Sequence, residues 1–264
     1  MTAGPERISS LNNPLIKELR LLSNDNTAYR KQGRVWLEGD HLCRAALLRG
    51  FKPAIALFSE SYWPLAQSKW ALAATKNIVV TDALFAEFSG LESPASLGFV
   101  IDLPPPLPLE PMTASVVLDR VQDAGNVGSI LRSAAAFGFS QVIALKGTAA
   151  LWSPKVLRAG MGAHFGLQLY ERVEPAELQT LAIPLIATSS HGGGILGDAR
   201  LPTPCAWVLG HEGQGISIEL LALVSATVRI AQPGGEESLN VAAAAAICLH
   251  FCAAQAAAGK VQTL

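Results

Sequence analysis

Val116-Val-Leu-Asp-Arg-Val-Gln-Asp-Ala-Gly-Asn-Val-Gly-Ser-Ile-Leu-Arg-Ser133 reads as a strand, a loop and the start of a helix. Residues 116–118 are a short apolar run, and residues 119–126 form a polar connection. Beyond it Val127, Ile130, Leu131, Ala134 and Ala135 recur at helical spacing. The pattern predicts a helix near residues 127–137 with Asn126 as its N-cap. Ser129, Arg132, Ser133 and Ala136 fall on the opposite stripe, so Arg132 points away from the core. A strand that passes through a loop into a helix is how α/β proteins present groups to a ligand at the carboxyl edge of a sheet.

The same alternation continues along the second half. Strands are predicted near residues 116–118, 141–145, 185–187, 206–209 and 227–230, with helices near 127–137, 154–159, 218–224 and 239–257. Such alternation argues for a largely parallel sheet. Upstream, Leu103-Pro-Pro-Pro-Leu-Pro-Leu-Glu-Pro111 can continue neither a helix nor a central strand, and it reads as a semi-rigid linker. The chain therefore divides into residues 1–103, a linker over 104–113, and residues 114–264. The first part is also α/β, with strands near 34–37, 55–58, 77–81 and 97–101 and helices near 11–22, 40–49, 62–74 and 82–88.

Composition limits what the chain can be. Half of its 264 residues are hydrophobic, enough to build cores without covalent staples. Four scattered cysteines make no disulfide framework and no zinc signature, the five histidines show no ligand spacing, and no metal is expected. The first seven residues lack an apolar signal core. The alanine-rich stretch 241–258 is broken by His250 and Gln255 and reads as a packed helix, so no membrane partner is expected and the protein is assigned to the cytoplasm. Net charge is −1, but residues 1–52 hold nine Lys/Arg against five Asp/Glu, and this basic front suits an anionic partner such as RNA.

Two more polar segments follow predicted strands. Gly210-His-Glu-Gly-Gln-Gly215 comes directly after residues 206–209, and its glycines allow close backbone approach to a ligand. It has no second histidine for a zinc protease motif, no Lys-Ser/Thr for a P-loop and no dinucleotide spacing. The wrong glycine spacing after Leu118 likewise argues against a nucleotide-cofactor oxidoreductase. Ile230-Ala-Gln-Pro-Gly-Gly-Glu-Glu-Ser-Leu-Asn240 is an irregular loop that enters a helix of small residues.

Asn126-Val-Gly-Ser-Ile-Leu-Arg-Ser-Ala134, Gly210-His-Glu-Gly-Gln-Gly215 and Pro233-Gly-Gly-Glu-Glu-Ser-Leu-Asn-Val-Ala242, in this order, resemble the three motifs of the SpoU (TrmH) family of RNA ribose 2′-O-methyltransferases. Ile8-Ser-Ser-Leu-Asn-Asn-Pro-Leu-Ile-Lys17, Tyr29-Arg-Lys-Gln-Gly33 and Trp36-Leu-Glu-Gly39 are similar to the small α/β, ribosomal-protein-like substrate-binding domain often found ahead of that catalytic unit. The resemblance implies a SPOUT-type α/β domain with a trefoil knot, S-adenosylmethionine as cofactor, structured RNA (rRNA or tRNA) as substrate, and a homodimer formed through the C-terminal domain. It implies a cofactor pocket at Thr188, Leu209, Gly210, Ile230 and Leu239, and chemical roles for Arg132, Asn126, Glu212, Ser238 and Asn240. Ala231 departs from the family pattern, where proline commonly follows the isoleucine.

Methyl transfer to a ribose hydroxyl asks chiefly for alignment and for management of one proton. A guanidinium seldom gives up its proton, so Arg132 is expected to clamp an RNA phosphate or the developing alkoxide. A base role for a deprotonated Arg132 in a dry site is the rival. Asn126 would orient Arg132 or the loop, Ser238 and Asn240 would meet the acceptor phosphate or fix the cofactor loop, and Glu212 would hold the loops by hydrogen bonds. A non-catalytic RNA-binding protein of the same fold is the alternative, against which the intact Arg132 and Asn126 speak.

Overall fold

The computed structural model describes residues 4–189, 192–234 and 238–261, and groups them into two units. Residues 235–237 of the third motif and His191 lie outside the described residues.

The first unit holds β1 (Glu6–Ile8), α1 (Pro14–Asn24), α2 (Ala28–Gln32), β2 (Arg34–Glu38), α3 (Asp40–Leu48), β3 (Ile55–Ser59), α4 (Trp63–Trp70), β4 (Lys76–Val80), α5 (Asp82–Ala86) and β5 (Leu97–Asp102). Its sheet runs β1-β4-β3-β5-β2, with β5 antiparallel to both neighbours and the other pairs parallel. The helix expected from residue 11 begins at Pro14, because Asn13 Oδ1 accepts the Leu15 N–H at 2.9 Å and proline suits the first helical position. Gly98 in β5 is required by close approach, since a Cβ there would lie 2.0 Å from the Trp36 indole.

The second unit holds β6 (Ser115–Leu118), α6 (Ala124–Phe137), β7 (Gln141–Leu145), β8 (Gln168–Val173), β9 (Leu185–Thr188), β10 (Gly194–Ile195), β11 (Ala206–Leu209), α8 (Ile218–Leu221), β12 (Ala226–Arg229) and α9 (Val241–Val261). The strands form one sheet in the order β10-β12-β9-β11-β6-β7-β8, and every described pairing is parallel. Both faces are covered, so β6, β7 and β11 are buried along their whole length and read as continuous apolar runs. One face packs Val117, Ile143, Val208, Leu178, Leu185 and Leu220 together. Between β7 and β8 the chain leaves this unit: Trp152–Phe165, carrying α7 (Pro154–Gly160), groups with the first.

The proline-rich stretch is pinned at its far end. Pro108 O accepts the Tyr170 hydroxyl at 2.8 Å, Pro111 O accepts Ala182 N–H at 2.9 Å, and Glu110 exchanges bonds with the Gln141 amide.

Two details of α6 differ from the sequence reading. The helix opens at Ala124, with Asp123 as N-cap: its Oδ1 accepts the Asn126 N–H at 2.8 Å, which frees the Asn126 side chain for other work. Val127, Ile130, Leu131 and Ala134 are buried as expected, but Ala135 is exposed, a small residue at the margin of the apolar stripe. In α9, Ala245, Cys248, Leu249 and Cys252 form the buried stripe, which packs on α6 and β11. Among the described residues α9 is the one helix long and apolar enough to cross a membrane, with mean hydropathy 1.8 over Val241–Ala258, and 22% of that window is buried. All four cysteines are buried and unbridged.

Candidate active site

Four parallel strands deliver the site. Because β6, β11, β9 and β12 lie side by side and point the same way, the residues after them (Asp119, Gly210, Ser189 and Ile230) emerge at one edge of the sheet. Between these connections lies a cleft of about 650 Å³, a usual size for a bound cofactor. Its wall takes Thr188 and Ser189, the loop from Gly210 through Ile216, Ile230 and Gln232, and Ser238 through Val241. Ile216, Leu221, Ile230 and Leu239 give it apolar surface for a flat ring. Gln232 Oε1 is buried with no hydrogen-bond partner among the described residues, an acceptor awaiting a donor.

The glycine loop is closed on itself. His211 N–H donates to Gly215 O at 3.0 Å and Gly215 N–H returns a bond to His211 O at 2.9 Å, while His211 Nδ1 accepts from Gly213 N–H at 2.9 Å and Gln214 N–H at 3.2 Å. His211 is thus a turn-builder. Gly210 allows the closure: a Cβ on it would meet the Gly215 carbonyl carbon at 2.4 Å.

Three motifs meet in one hydrogen-bonded row. Asn240 Nδ2 donates to Asn126 Oδ1 at 2.9 Å, and Asn126 Nδ2 donates to Glu212 Oε1 at 3.0 Å. Glu212 also accepts the N–H groups of Asp123 at 3.3 Å and Gln122 at 3.4 Å. Burial works to raise the Glu212 carboxyl, but the Asn126 amide and the backbone N–H groups outweigh it and hold its pKa below the ordinary value. Asn240 Oδ1 accepts from Ala242 N–H at 2.9 Å and Ala243 N–H at 3.3 Å, capping α9. That cap explains why the helix starts at Val241 instead of Leu239.

The other expected residues are placed as follows. Thr188, Gly210, Ile230, Leu239, Glu212, Ser238 and Asn240 lie on the cleft wall. Leu209 stands behind it, its side chain fully buried in the sheet and its carbonyl accepting the Asp119 N–H at 2.8 Å. Arg132 is exposed, does not line the cleft, and has no partner for its guanidinium among the described residues. It sits six residues beyond Asn126, about 9 Å further along the α6 axis. Among the described residues no cluster of three or more His, Cys, Asp or Glu could hold a metal ion.

Residues 113–250 match the SpoU rRNA methylase family, which takes in the sheet edge, the glycine loop and the first half of α9. The chain belongs to the SpoU rRNA methylase family. It is 31% identical to a Synechocystis sp. protein named as an uncharacterized tRNA/rRNA methyltransferase, over 95% of this chain and 94% of that one. It is 27% identical to the Bacillus subtilis 23S rRNA (guanosine(2553)-2′-O)-methyltransferase, over 93% and 98%. Among solved structures, an AdoMet-bound rRNA methyltransferase from Sinorhizobium meliloti superposes with a TM-score of 0.79 at 25% identity, covering 93% of this chain and 96% of that one. In this SpoU family member the sequence reading missed Asp119, Arg120, Gln214 and Gln232. Asp123 alone left a signal, an acid three residues before the Asn126 amide it caps.

Proposed function

We propose that this protein transfers a methyl group from S-adenosylmethionine to a ribose 2′-hydroxyl of structured RNA, rRNA or tRNA. The observation that carries the reading is the row Asn240–Asn126–Glu212, which ties the three family motifs together beside a cofactor-sized cleft. When bound, S-adenosylmethionine supplies a methyl carbon made electrophilic by its sulfonium.

The chain's own residues hold and orient. Ile230, Leu239 and the main chain from Gly210 onward would receive the cofactor, with Gln232 Oε1 taking one of its N–H donors. The amide row fixes the first turn of α6 against the loop and the α9 cap, so the acceptor meets a preorganised surface. Ser238, on the wall and exposed, would contact the acceptor phosphate. Arg132, charged and without a partner among the described residues, would take an RNA phosphate or steady the developing alkoxide. The base role for Arg132 is the less favoured reading, because that role asks for a dry site and Arg132 is exposed.

We further propose that residues 1–103 anchor the RNA, supported by Lys17, Arg20 and Lys31, which are exposed and lack an acidic partner among the described residues. The outer face of α9, where Ile247 is 41% exposed amid alanines, supports a homodimer. A trefoil threading from β11 through α9 is supported by the insertion of β11 between β6 and β9, with β12 beyond β9.

The test is methyl incorporation. Purified protein, labelled S-adenosylmethionine and total RNA from the source cell should yield alkali-resistant 2′-O-methylated dinucleotides. Binding of S-adenosylmethionine without any transfer would favour the non-catalytic RNA-binding alternative.

A further inference from the structure

Two neighbours at the end of β6 that do not themselves line the cleft build a polar arrangement beside it. Asp119 is buried, its side chain 3% exposed. The guanidinium of Arg120 grips it side-on, with Nε 2.9 Å from Oδ1 and Nη2 3.2 Å from Oδ2. Of the three N–H groups the grip leaves, two reach the glycine loop: Nη1 donates to Gln214 Oε1 at 2.8 Å and Nη2 to Gly215 O at 3.4 Å. Asp119 adds a third hold by accepting the Ser217 N–H at 2.6 Å.

The backbone at Arg120 is shaped for this task. Its φ is +59°, a left-handed conformation unfavourable for a residue with a Cβ. It is kept there by its N–H to Thr148 Oγ1 at 3.1 Å, while that hydroxyl donates to Leu118 O at 2.9 Å. Such an outlier persists when its surroundings over-determine it, and it collects where a site must be held in one shape.

We infer that Asp119 and Arg120 are positioning residues that set the glycine loop in its cofactor-binding form. Gly215 is the link: its carbonyl takes both Arg120 Nη2 and His211 N–H, so fixing Gly215 fixes the neck of the loop at His211 and, through it, the cleft wall from Gly210 to Ile216. Arg120 has donors committed on three sides and is a latch, not an RNA contact. Lysine cannot replace it, because a single ammonium offers no planar fork that serves Asp119, Gln214 and Gly215 at once.

This inference rests on the cleft being an S-adenosylmethionine site, and one experiment separates the two ideas. Calorimetric titration of S-adenosylmethionine into the full-length protein should show binding; if the unsubstituted protein does not bind, the functional reading fails. Given binding, Arg120→Lys, which keeps the ion pair with Asp119, should weaken cofactor affinity about tenfold, the scale of a lost charged hydrogen bond. RNA affinity and kcat at saturating cofactor should stay within about twofold. In a Gln214→Ala background the same change should have a clearly smaller effect, because the two side chains act through one contact. Arg120→Lys protein that folds normally and binds cofactor as tightly as its parent overturns the inference. So does a parallel fall in cofactor and RNA affinity.

Discussion

The side-chain amide of Asn240 stands 2.9 Å from that of Asn126, although 114 residues separate them in sequence. The residue that caps the last helix therefore also braces the first turn of α6, and Asn126 passes the bond on to Glu212.

Replacing Asn126 by alanine removes both bonds of its side chain at once. A hydrogen bond to a charged acceptor contributes about 1 to 3 kcal/mol, with the low end expected at this exposed site. The row that fixes the first turn of α6 is broken, so the expected outcome is a small drop in melting temperature together with a loss of methyl transfer of at least about tenfold. Incorporation assays beside calorimetric melting check this; full activity would remove Asn126 from the site.

Arg132→Ala should abolish methyl transfer and leave S-adenosylmethionine affinity nearly unchanged, since Arg132 does not line the cleft. Titration calorimetry and incorporation on the same preparation make the comparison. Loss of both together counts against the proposed acceptor-side role.

Acid should loosen the loops before it unfolds the sheets. At Asp119 burial raises the pKa, but the Arg120 guanidinium and the Ser217 N–H prevail and lower it, and Glu212 is likewise lowered. A carboxyl with a depressed folded-state pKa adds stability that is complete above its unfolded value, about 4, and is lost as the pH falls through the folded value. The contribution of these two groups should hold steady above about pH 5 and fail only below about pH 4. Melting temperature against pH tests it, and the Glu212→Gln variant should show a shallower acid decline.

Lys17→Glu with Arg20→Glu reverses charge on the exposed side of α1. RNA affinity should fall, and the slope of log affinity against log salt should become shallower by about 1 for each phosphate the protein no longer neutralises. Cofactor affinity should not move. An unchanged salt slope would take α1 out of the RNA interface.

Gly210→Ala places a Cβ 2.4 Å from the Gly215 carbonyl carbon and 2.6 Å from the Ile216 nitrogen. Backbone cannot yield as a flexible side chain can, so the loop must open. Cofactor binding should be lost while the far-ultraviolet circular dichroism of the protein is retained.

What the sequence made legible followed burial. The continuous apolar runs of β6, β7 and β11 placed those strands, and with them the sheet edge where the motifs gather. β8 is hidden in the sequence because Gln168 and the charged Glu171 and Arg172 break its pattern, and β1 and β10 are too short to show a period. Asparagine and aspartate both suit a cap position, so the sequence offers Asn126 as readily as Asp123, and the fold gives the cap to Asp123. The Arg120 latch is invisible in one dimension: beyond the adjacent Asp119 its partners lie 94 and 95 positions away, and nothing local announces a left-handed arginine. The three motifs are legible as a resemblance, whereas the amide row joining them is a property of three-dimensional proximity alone.

The detour of Trp152–Phe165 into the first unit has a consequence for how the protein is made. As the chain grows from its amino end, the first unit cannot be completed when its own sheet has emerged. It must wait until β6, α6 and β7 have been synthesised and residue 165 has followed them. Assembly of the two units is therefore interleaved in time, and a chain ending near residue 105 would carry a first unit still missing one of its helices.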